Sequence, residues 1–488
     1  MLRLSLLAGL ALPLFCCMNA AAQYDLIPAP QDIKLAEGTT RNLAVKAQKE
    51  VASLPASGYK LKLAPEGVFI QYRDKAGLDY ALVTLEQLKD QLKASPEGIP
   101  AGVIADHPVY PWRGMMADVA RHYMPLADLK KFVDVMHFYK FNKLHLHLTD
   151  DQGWRLPVPG YPKLKTIASK RKDSEGDGKP HSGFYTAKEL KELVAYCAER
   201  NIEVLPEIDM PGHNQALAAA YPELFCDPLP KIDVRTTGGV SKELVCPCKK
   251  ETLKFYNAVF DALKDIFPSS FVHLGGDEAP TDRWESCPVC QKSRAKHKMK
   301  DTHEQMGAFF ATMTDLLAKR GKQPQFWFEN NASIYQKGQT VYSWRMGLTP
   351  STIDKTREAG LKLILTPGEH CYLDYPQMEG HSNRGWMPRT TLEQSYRFQP
   401  TYGRPAAEVE HIVGVHCTLW AECLPTLEHT LYRAYPRAMA IAEAGWTQPE
   451  RRSWSDFQKR LEAHQKSFPA RFKYTLERTP TNEPHFVK

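Results

Sequence analysis

Two adjacent carboxylates, Asp277 and Glu278, follow an apolar run and two glycines in the stretch FVHLGGDEAP, residues 271–280. Successive side chains of a β-strand point to opposite faces, so both carboxylates can serve one site only where the strand has ended. Gly275 and Gly276 permit the turn and the close approach that this requires. The pair is therefore interpreted either as an acid/base couple or as a helix cap after a core strand.

The surrounding elements predict a (β/α)8 TIM barrel, because apolar strand segments alternate with amphipathic helix segments from Trp112 onward. The eight predicted strands are residues 114–119, 143–148, 202–208, 270–274, 325–328, 340–344, 361–366 and 413–419. The predicted helices are 126–139, 187–200, 251–267, 303–319, 350–359 and 427–443. Residues 329–339 are too few for a full helix, so we expect the barrel to be irregular after strand five.

The active-site residues of such barrels follow the carboxyl ends of the strands. In this chain those positions carry carboxylates, basic groups and aromatic rings. They are Arg121 and His122, Asp150 and Asp151, Asp209 and His213, Asp277 and Glu278, Trp327 and Glu329, Trp344 and Arg345, Tyr372 and Asp374, and Trp420 and Glu422. Because carboxylates bind vicinal hydroxyls and aromatic rings stack on the C–H face of a pyranose, the set predicts a sugar site.

The length of 488 residues predicts more than one domain. Residues 1–22 have the pattern of a secretory signal, which predicts export to the periplasm or the extracellular space. The bulky Phe15 argues against lipidation at Cys16 or Cys17. We predict a small α/β accessory domain over 23–106, the catalytic barrel over 107–446 and a helical tail over 447–488 packed on the barrel.

Charge and cysteine usage limit the partners. The net charge is +7 without a block of like charges, so nucleic acid is not implied, and no segment after the signal is long and apolar enough to span a membrane. The pairs Cys246/Cys248 and Cys287/Cys290 have a spacing that suits either a structural zinc or disulfides formed after export. The sequence leaves both possibilities open.

Adjacent carboxylates are poorly placed to act as acid and nucleophile on opposite sides of one glycosidic bond. They fit better if one is the acid and the other holds a group of the substrate. An N-acetyl group can supply the nucleophile through its carbonyl oxygen, as substrate-assisted hydrolases do. The chain has no Gly-rich phosphate loop after a strand and no G-x-S-x-G elbow.

Four long motifs resemble those of the family 20 glycoside hydrolases, the β-N-acetylhexosaminidases. They are residues 112–123, 142–155 (NKLHLHLTDDQGWR), 207–213 (EIDMPGH) and 273–278 (HLGGDE), with weaker matches at 372–374 and 419–422. The resemblance covers about residues 106–446, and the domain before the barrel resembles the usual partner domain of the family. It implies exo-acting removal of terminal N-acetyl-β-hexosamine with retention at the anomeric carbon, without a covalent enzyme intermediate, metal or organic cofactor.

The resemblance also implies residue roles. Glu278 corresponds to the general acid/base, Asp277 to the residue that orients the 2-acetamido group, and Tyr372 to its hydrogen-bond donor. Asp150 and His213 correspond to a relay that supports the acid. The sugar-binding set is Arg121, Asp374 and Glu422 for the hydroxyls, with Trp327, Trp344 and Trp420 as aromatic walls. We expect Glu278 to be partly desolvated by a pocket indole and Asp277 to stay charged.

Two other functions compete with this one. The pair His145 and His147, with His213 and Asp277, has the ligand types of a metal-dependent amidohydrolase. Because these two histidines lie within a predicted strand, we expect them to be buried core or supporting groups instead. A glycan-binding barrel without catalysis is the non-enzymatic alternative, but the presence of Asp277, Glu278 and Tyr372 argues against it.

Overall fold

Eight parallel strands close into a barrel in the computed structural model, which describes residues 24–381, 385, 387–476 and 478. Each strand pairs with the next along the chain and the eighth pairs with the first, which confirms the predicted TIM barrel. The strands are Trp112–Asp118, Lys143–His147, Glu203–Glu207, Phe271–His273, Gln323–Trp327, Thr340–Ser343, Lys362–Leu365 and Ile412–Cys417. The predicted signal segment 1–22, with Cys16 and Cys17, lies outside the described residues.

The barrel strands are buried on both faces, as parallel strands covered by helices should be. In the second strand, Leu144 and Leu146 pack in the outer core, while His145 and His147 alternate with them and are also fully buried. Trp327, with Met116, Leu205, Tyr342 and Ile364, belongs to a separate cluster of buried side chains. Because successive side chains of a strand point to opposite faces, His145 and His147 point away from the helices.

Within the described residues, the helices around the barrel are Leu126–Phe138, Ala187–Ala198, Lys250–Ile266, Thr302–Ala318, Thr349–Glu358, Leu427–Ala434 and Arg437–Trp446. Strands five and six are joined only through a turn of 3-10 helix, Ala332–Ile334, so the expected irregularity is confirmed. The prediction of one helix over 427–443 is wrong. One helix ends at Ala434 and the next begins at Arg437, after Tyr435 and Pro436. Proline has no backbone N–H to donate, and its ring clashes with the preceding turn of a helix.

The loops contain further elements. The helices are Gln215–Ala220, Asp282–Ser286, Pro288–His297, Gly368–Cys371, Leu392–Tyr396 and Ala406–Val409, with a π-helical turn at Leu164–Ala168. Turns of 3-10 helix occur at Pro222–Leu224, Ala421–Cys423 and Pro449–Arg451. Two-residue strand pairs join Thr149–Asp150 to Gly153–Trp154 and Lys170–Arg171 to His181–Ser182.

The accessory domain is a five-stranded sheet with one long helix, Lys75–Ala94. Its strands are Asp32–Thr40, Val45–Glu50, Tyr59–Ala64, Gly67–Tyr72 and Ile99–Asp106, in the spatial order first, fifth, third, fourth, second. Asp106 ends the last of these strands and is buried. Its carboxylate accepts hydrogen bonds from Tyr59 Oη at 2.6 Å, Lys140 Nζ at 3.1 Å and Trp446 Nε1 at 2.8 Å. This buried hub fixes the accessory domain to the barrel.

The last helix, Trp454–Phe472, is anchored by a buried ion pair. Arg460 Nη1 lies 2.8 Å from Glu443 Oε2 and also donates to the backbone oxygen of Leu26 at 2.7 Å. The tail therefore contacts both the barrel's last helix and the start of the accessory domain. Within the described part of the chain, no helix has the length and apolar character needed to cross a bilayer.

Candidate active site

The chain turns sharply after the fourth barrel strand. Gly275 and Gly276 have φ values of 65° and 93°, which glycine adopts without strain. A Cβ on Gly275 would lie 2.0 Å from Oδ1 of Asp209, and the same oxygen accepts the Gly276 N–H at 3.2 Å. The glycines therefore let the ends of strands three and four pack closely, with Asp277 and Glu278 directly after the turn.

The helix-capping interpretation of the acidic pair is wrong. The following helix begins only at Asp282 with Thr281 as its N-cap residue. Oδ1 of Asp277 is buried and has no hydrogen-bond partner among the described residues. A buried carboxylate oxygen without a donor costs free energy, so the arrangement points to a ligand that supplies one.

His213 lies between the acidic pair and Asp150. Its Nε2 is 3.8 Å from Oδ2 of Asp277 and 3.7 Å from Oε2 of Glu278, and its Nδ1 is 3.2 Å from Oδ1 of Asp150. Burial disfavours the imidazolium, but the Asp150 carboxylate outweighs it and raises the pKa of His213 well above its usual value. A charged His213 donates to Asp150 through Nδ1, and its Nε2–H lies near both catalytic carboxylates without a hydrogen-bond partner among the described residues.

The backbone is strained at two of these positions. His213 has φ of 50° and Glu278 has φ of 45°, in the left-handed region that side chains with a Cβ disfavour. Such strain persists only where the surrounding structure enforces it, and it concentrates at functional sites.

Burial separates the two adjacent carboxyls in an unexpected way. The side chain of Glu278 is 39% exposed and that of Asp277 only 9%. Burial, against the opposing charge of His213, and the nearby Glu278 carboxylate raise the pKa of Asp277 to about 7. The expectation that a pocket indole desolvates Glu278 is therefore wrong, and Asp277, which we expected to stay charged, is only partly ionised at neutral pH. The left-handed turn leaves Glu278 half-open to solvent and buries Asp277 instead.

Arg121 is held rigidly beside this centre. Its Nη2 lies 2.8 Å from Oδ2 of Asp150, its Nη1 lies 3.2 Å from Oδ2 of Asp118, and its Nε donates to Gln152 at 3.0 Å. The guanidinium also lies 5.0 Å from the ring of Trp420. Asp118 and Gln152 were not predicted as site residues, although both lie within the sequence motifs and Asp118 precedes Arg121 by three positions.

Two carboxylates have buried acceptor oxygens that are unused. Asp374 is fully buried, and neither of its oxygens has a hydrogen-bond partner among the described residues. Burial and the charge of Glu422 raise the pKa of Asp374 to about 8. Glu422 has one such oxygen as well, and its other oxygen lies 4.0 Å from Nη2 of Arg121. Such acceptors suit the hydroxyl groups of a ligand.

Aromatic rings surround these carboxylates. Tyr372 is 7% exposed, with its ring 6.4 Å from that of Trp420, and both Trp344 and Trp420 pack against the buried cluster that contains Tyr372. Trp327 is 1% exposed, lies 5.8 Å from Trp420 and donates its indole N–H to Glu207 at 2.8 Å. It is more deeply buried than Trp344 and Trp420, and its role as a pocket wall stays a prediction.

Several other residues at the strand ends organise the loops. A ring nitrogen of His122 hydrogen-bonds the carbonyl of Ala421 at 2.5 Å. The carboxylate of Asp151 accepts two backbone N–H groups, from Gln215 and Ser241, each at 2.9 Å. The remaining pair joins Arg345 to Glu329 at 2.5 Å.

A network of buried histidines lies below the site and includes the two histidines of the amidohydrolase alternative. Glu207, which the sequence marked only as part of a motif, lies 3.1 Å from His145 Nε2 and 2.9 Å from His273 Nδ1, and it also pairs with His147. His147 continues to Asp150 at 2.9 Å. His145 thus clusters with Glu207 and His273, whereas His213 clusters with Asp209 and Asp277. Both strand histidines are fully buried supporting groups, as expected.

Replacement of Glu207 by Gln tests this network. Burial disfavours its charge, but the three histidines lower the pKa of Glu207 well below its usual value. Removal of one partner from a buried ion pair leaves the other uncompensated, so we expect the free energy of unfolding to fall by about 3–5 kcal/mol. Thermal unfolding should show a clear loss, whereas Glu192→Gln, at an exposed pair with Lys130, should unfold as the parent does. Equal melting temperatures for all three proteins would contradict the assignment.

Known families match both domains. Residues 25–107 match glycosyl hydrolase family 20, domain 2, and residues 110–449 match the glycosyl hydrolase family 20 catalytic domain.

Individual relatives agree over nearly the whole chain. A beta-hexosaminidase of Akkermansia muciniphila is 57% identical over 99% of this chain and 98% of its own length. A crystal structure of a beta-N-acetylhexosaminidase superposes with a TM-score of 0.94 at 58% identity, over 95% of this chain and 99% of the other. A GH20 exo beta-N-acetylglucosaminidase from Vibrio harveyi, in complex with N-acetylglucosamine, gives 0.83 at 27% identity, over 94% and 79%. The chain belongs to glycosyl hydrolase family 20.

Proposed function

We propose that the protein is an exo-acting β-N-acetylhexosaminidase that removes terminal N-acetylglucosamine or N-acetylgalactosamine from glycans. The observation that carries the proposal is the pair Asp277 and Glu278, which share His213 at the carboxyl end of strand four. One carboxyl is buried and the other is half-open to solvent. This asymmetry suits two different tasks in one reaction.

In the first step, Glu278 donates a proton to the glycosidic oxygen while the carbonyl oxygen of the substrate's acetamido group attacks the anomeric carbon. The bond to the leaving group breaks, and the positive charge moves onto the new five-membered ring. Asp277, buried beside it, stabilises that charge. The hydroxyl of Tyr372 hydrogen-bonds the acetamido oxygen and holds it on the attacking side.

In the second step, the carboxylate of Glu278 takes a proton from water, and the water oxygen attacks the anomeric carbon. The bond to the acetamido oxygen breaks, and the acetamide is restored. Two inversions give net retention of the β configuration. The relay from Asp150 through His213 to Glu278 supports the acid in both steps, because His213 lies 3.7 Å from the carboxylate that changes charge.

The terminal sugar is held by acceptors that water does not reach. Asp374 and Glu422 present buried oxygens without partners among the described residues, and Arg121 offers the complementary donors. The hydroxyl groups at the non-reducing end would satisfy these oxygens. A further sugar attached at that end would replace a hydroxyl group and leave an oxygen without its donor. This supports removal of terminal residues, with Trp344 and Trp420 as apolar walls.

The proposal predicts a specific pH dependence. Burial and the neighbouring Glu278 carboxylate raise the pKa of Asp277 to about 7. Asp277 must be ionised to stabilise the positive charge of the intermediate, so kcat/KM should rise as the pH rises through about 7. A pH profile with an aryl glycoside measures this rise. A profile that is flat from pH 5 to about 9 would contradict the need for an ionised Asp277.

We also propose that residues 1–22 direct export, with cleavage before Gln23, to the periplasm or the extracellular space. Arg3, the apolar run that follows it and the small residues 20–22 support this. Amino-terminal sequencing of the exported protein should begin at Gln23. A protein that stays in the cytoplasm with residues 1–22 still attached would overturn the proposal.

Hydrolysis of an aryl N-acetyl-β-glucosaminide, beside the matched aryl β-glucoside, tests the activity. We expect turnover of the first and almost none of the second, because glucose lacks the acetamido nucleophile. Saturable binding without release of the aryl group would favour an inert glycan-binding barrel, and hydrolysis of an amide in place of the glycoside would favour an amidohydrolase.

A further inference from the structure

Four buried cysteine sulfurs meet between the two loops that carry the catalytic residues. They belong to Cys226, Cys246, Cys287 and Cys290, and their Sγ atoms all lie within 4.8 Å of one another. None of the four has a role in the proposed reaction.

The distances fit coordination around one ion. Sγ of Cys290 lies 3.7 Å from Sγ of Cys226 and 3.7 Å from Sγ of Cys246. A tetrahedral zinc with Zn–S bonds of about 2.3 Å places its sulfur ligands about 3.8 Å apart. Sulfurs joined in a disulfide would be about 2.05 Å apart. The cluster therefore has the dimensions of a tetrathiolate site.

We propose that Cys226, Cys246, Cys287 and Cys290 bind one structural zinc ion. Binding converts four thiols to thiolates and releases their protons, without any redox change. Four sulfur ligands in a tetrahedron select zinc or iron, and zinc, which has no redox chemistry, suits a closed structural site. Because the protein fills all four positions, the ion has no open site for catalysis.

The structure assigns the fourth ligand to Cys226, where the sequence spacing suggested Cys248. A backbone bridge between Phe225 and Val245 brings Cys226 beside Cys246, and the Cys246 N–H donates to the oxygen of Leu224 at 2.8 Å. Cys248 is only partly buried, and its sulfur accepts a hydrogen bond from Gln305 at 3.3 Å.

The local backbone favours thiolates. Cys287 is the N-cap residue of the helix Pro288–His297, and Cys290 lies in the first turn of that helix. The partial positive charge of a helix N-terminus stabilises anionic sulfur. The helix thus supports the two ligands that it contributes to the cluster.

The site would join two loops of the active site. Residues 208–249, which include His213, contribute two ligands, and residues 274–301, which include Asp277 and Glu278, contribute the other two. Zinc would fix the acidic pair relative to His213, whose Nε2 contacts both carboxylates at 3.7–3.8 Å. The ion would therefore position the catalytic groups from outside the pocket.

Metal content of the purified full-length protein tests the proposal independently of glycosidase activity. Elemental analysis should find about one zinc ion per chain, because four cysteine ligands bind zinc tightly. Most of this zinc should be lost in Cys290→Ser, and the matched control Cys248→Ser should retain it. If Cys248→Ser loses zinc while Cys226→Ser retains it, the ligand assignment is wrong. Iron in place of zinc would overturn the choice of ion.

Two measurements on the unmutated protein remain informative if a variant does not fold. Alkylation after denaturation in chelator, without reductant, should modify each of the nine cysteines beyond the signal segment. A mercurial reagent added to the native protein should release zinc in step with thiol modification. Protected cysteine pairs in a zinc-free protein would show disulfides and overturn the site, even if hydrolysis of the aryl glycoside is normal.

Discussion

Replacement of Glu278 by Gln should lower kcat for glycosides with poor leaving groups by about 10²–10⁴-fold, the usual contribution of a positioned general acid. Gln keeps the size of the side chain but cannot donate the proton that the departing oxygen needs. Substrate binding should survive, because Arg121, Asp374 and Glu422 hold the terminal sugar. An aryl glycoside whose leaving group needs no protonation should lose far less rate than a disaccharide.

The comparison of leaving groups separates an acid from a structural residue. A variant with a damaged fold would lose the same factor with every substrate. Glu285→Gln, on the exposed part of the short helix Asp282–Ser286, is the matched control and should behave as the parent enzyme. A parent-like rate on the disaccharide would remove Glu278 from the acid role.

Asp277→Asn should reduce kcat by about 10²–10³-fold, the size of effect seen when one group that stabilises a transition-state charge is removed. The amide has the shape of the carboxyl but cannot balance the positive charge of the cyclised intermediate. Because this charge arises only after binding, KM should change much less than kcat. Leaving-group acidity should matter little, unlike for Glu278→Gln.

The same variant should be at least as stable as the parent protein. Burial and the neighbouring Glu278 make a charged Asp277 costly, which its raised pKa of about 7 records. A neutral amide avoids this cost, so Asp277→Asn should melt at the same or a higher temperature than the parent at neutral pH. The variant would gain stability while it loses activity. A less stable variant with nearly parent activity would contradict both the catalytic role and its electrostatic cause.

The barrel was predictable because its strands and helices carry strong periodic patterns. The accessory strands show where such patterns fail. Val45–Glu50 is exposed at every position, so burial leaves no mark on its sequence. Tyr59–Ala64 does alternate, with Tyr59, Leu61 and Leu63 buried between exposed lysines, and this signal was available. The division of the last barrel helices was also readable from Pro436.

The site was predictable in membership but only partly in physical state. Motifs at strand ends gathered Asp150, His213, Asp277 and Glu278, because the barrel places all strand ends on one rim. Which carboxyl is buried depends on the left-handed backbone conformation of Glu278, and the residue types in this stretch do not predict that conformation. The fourth cysteine was missed for a related reason: Cys226 reaches Cys246 through a backbone bridge across twenty residues, not through local spacing.

The proposed nucleophile is the substrate's own acetamido oxygen, which is held at the acidic pair Asp277 and Glu278. The most direct measurement is kcat/KM for aryl β-glucosaminides whose acetyl group carries zero, one, two or three fluorine atoms. Each fluorine withdraws electrons from the carbonyl oxygen while the reacting bond and the leaving group stay the same. The proposed mechanism predicts a steep, progressive fall in rate along the series. Equal rates for the four substrates would contradict it, because a nucleophile supplied by the enzyme would not depend on that oxygen.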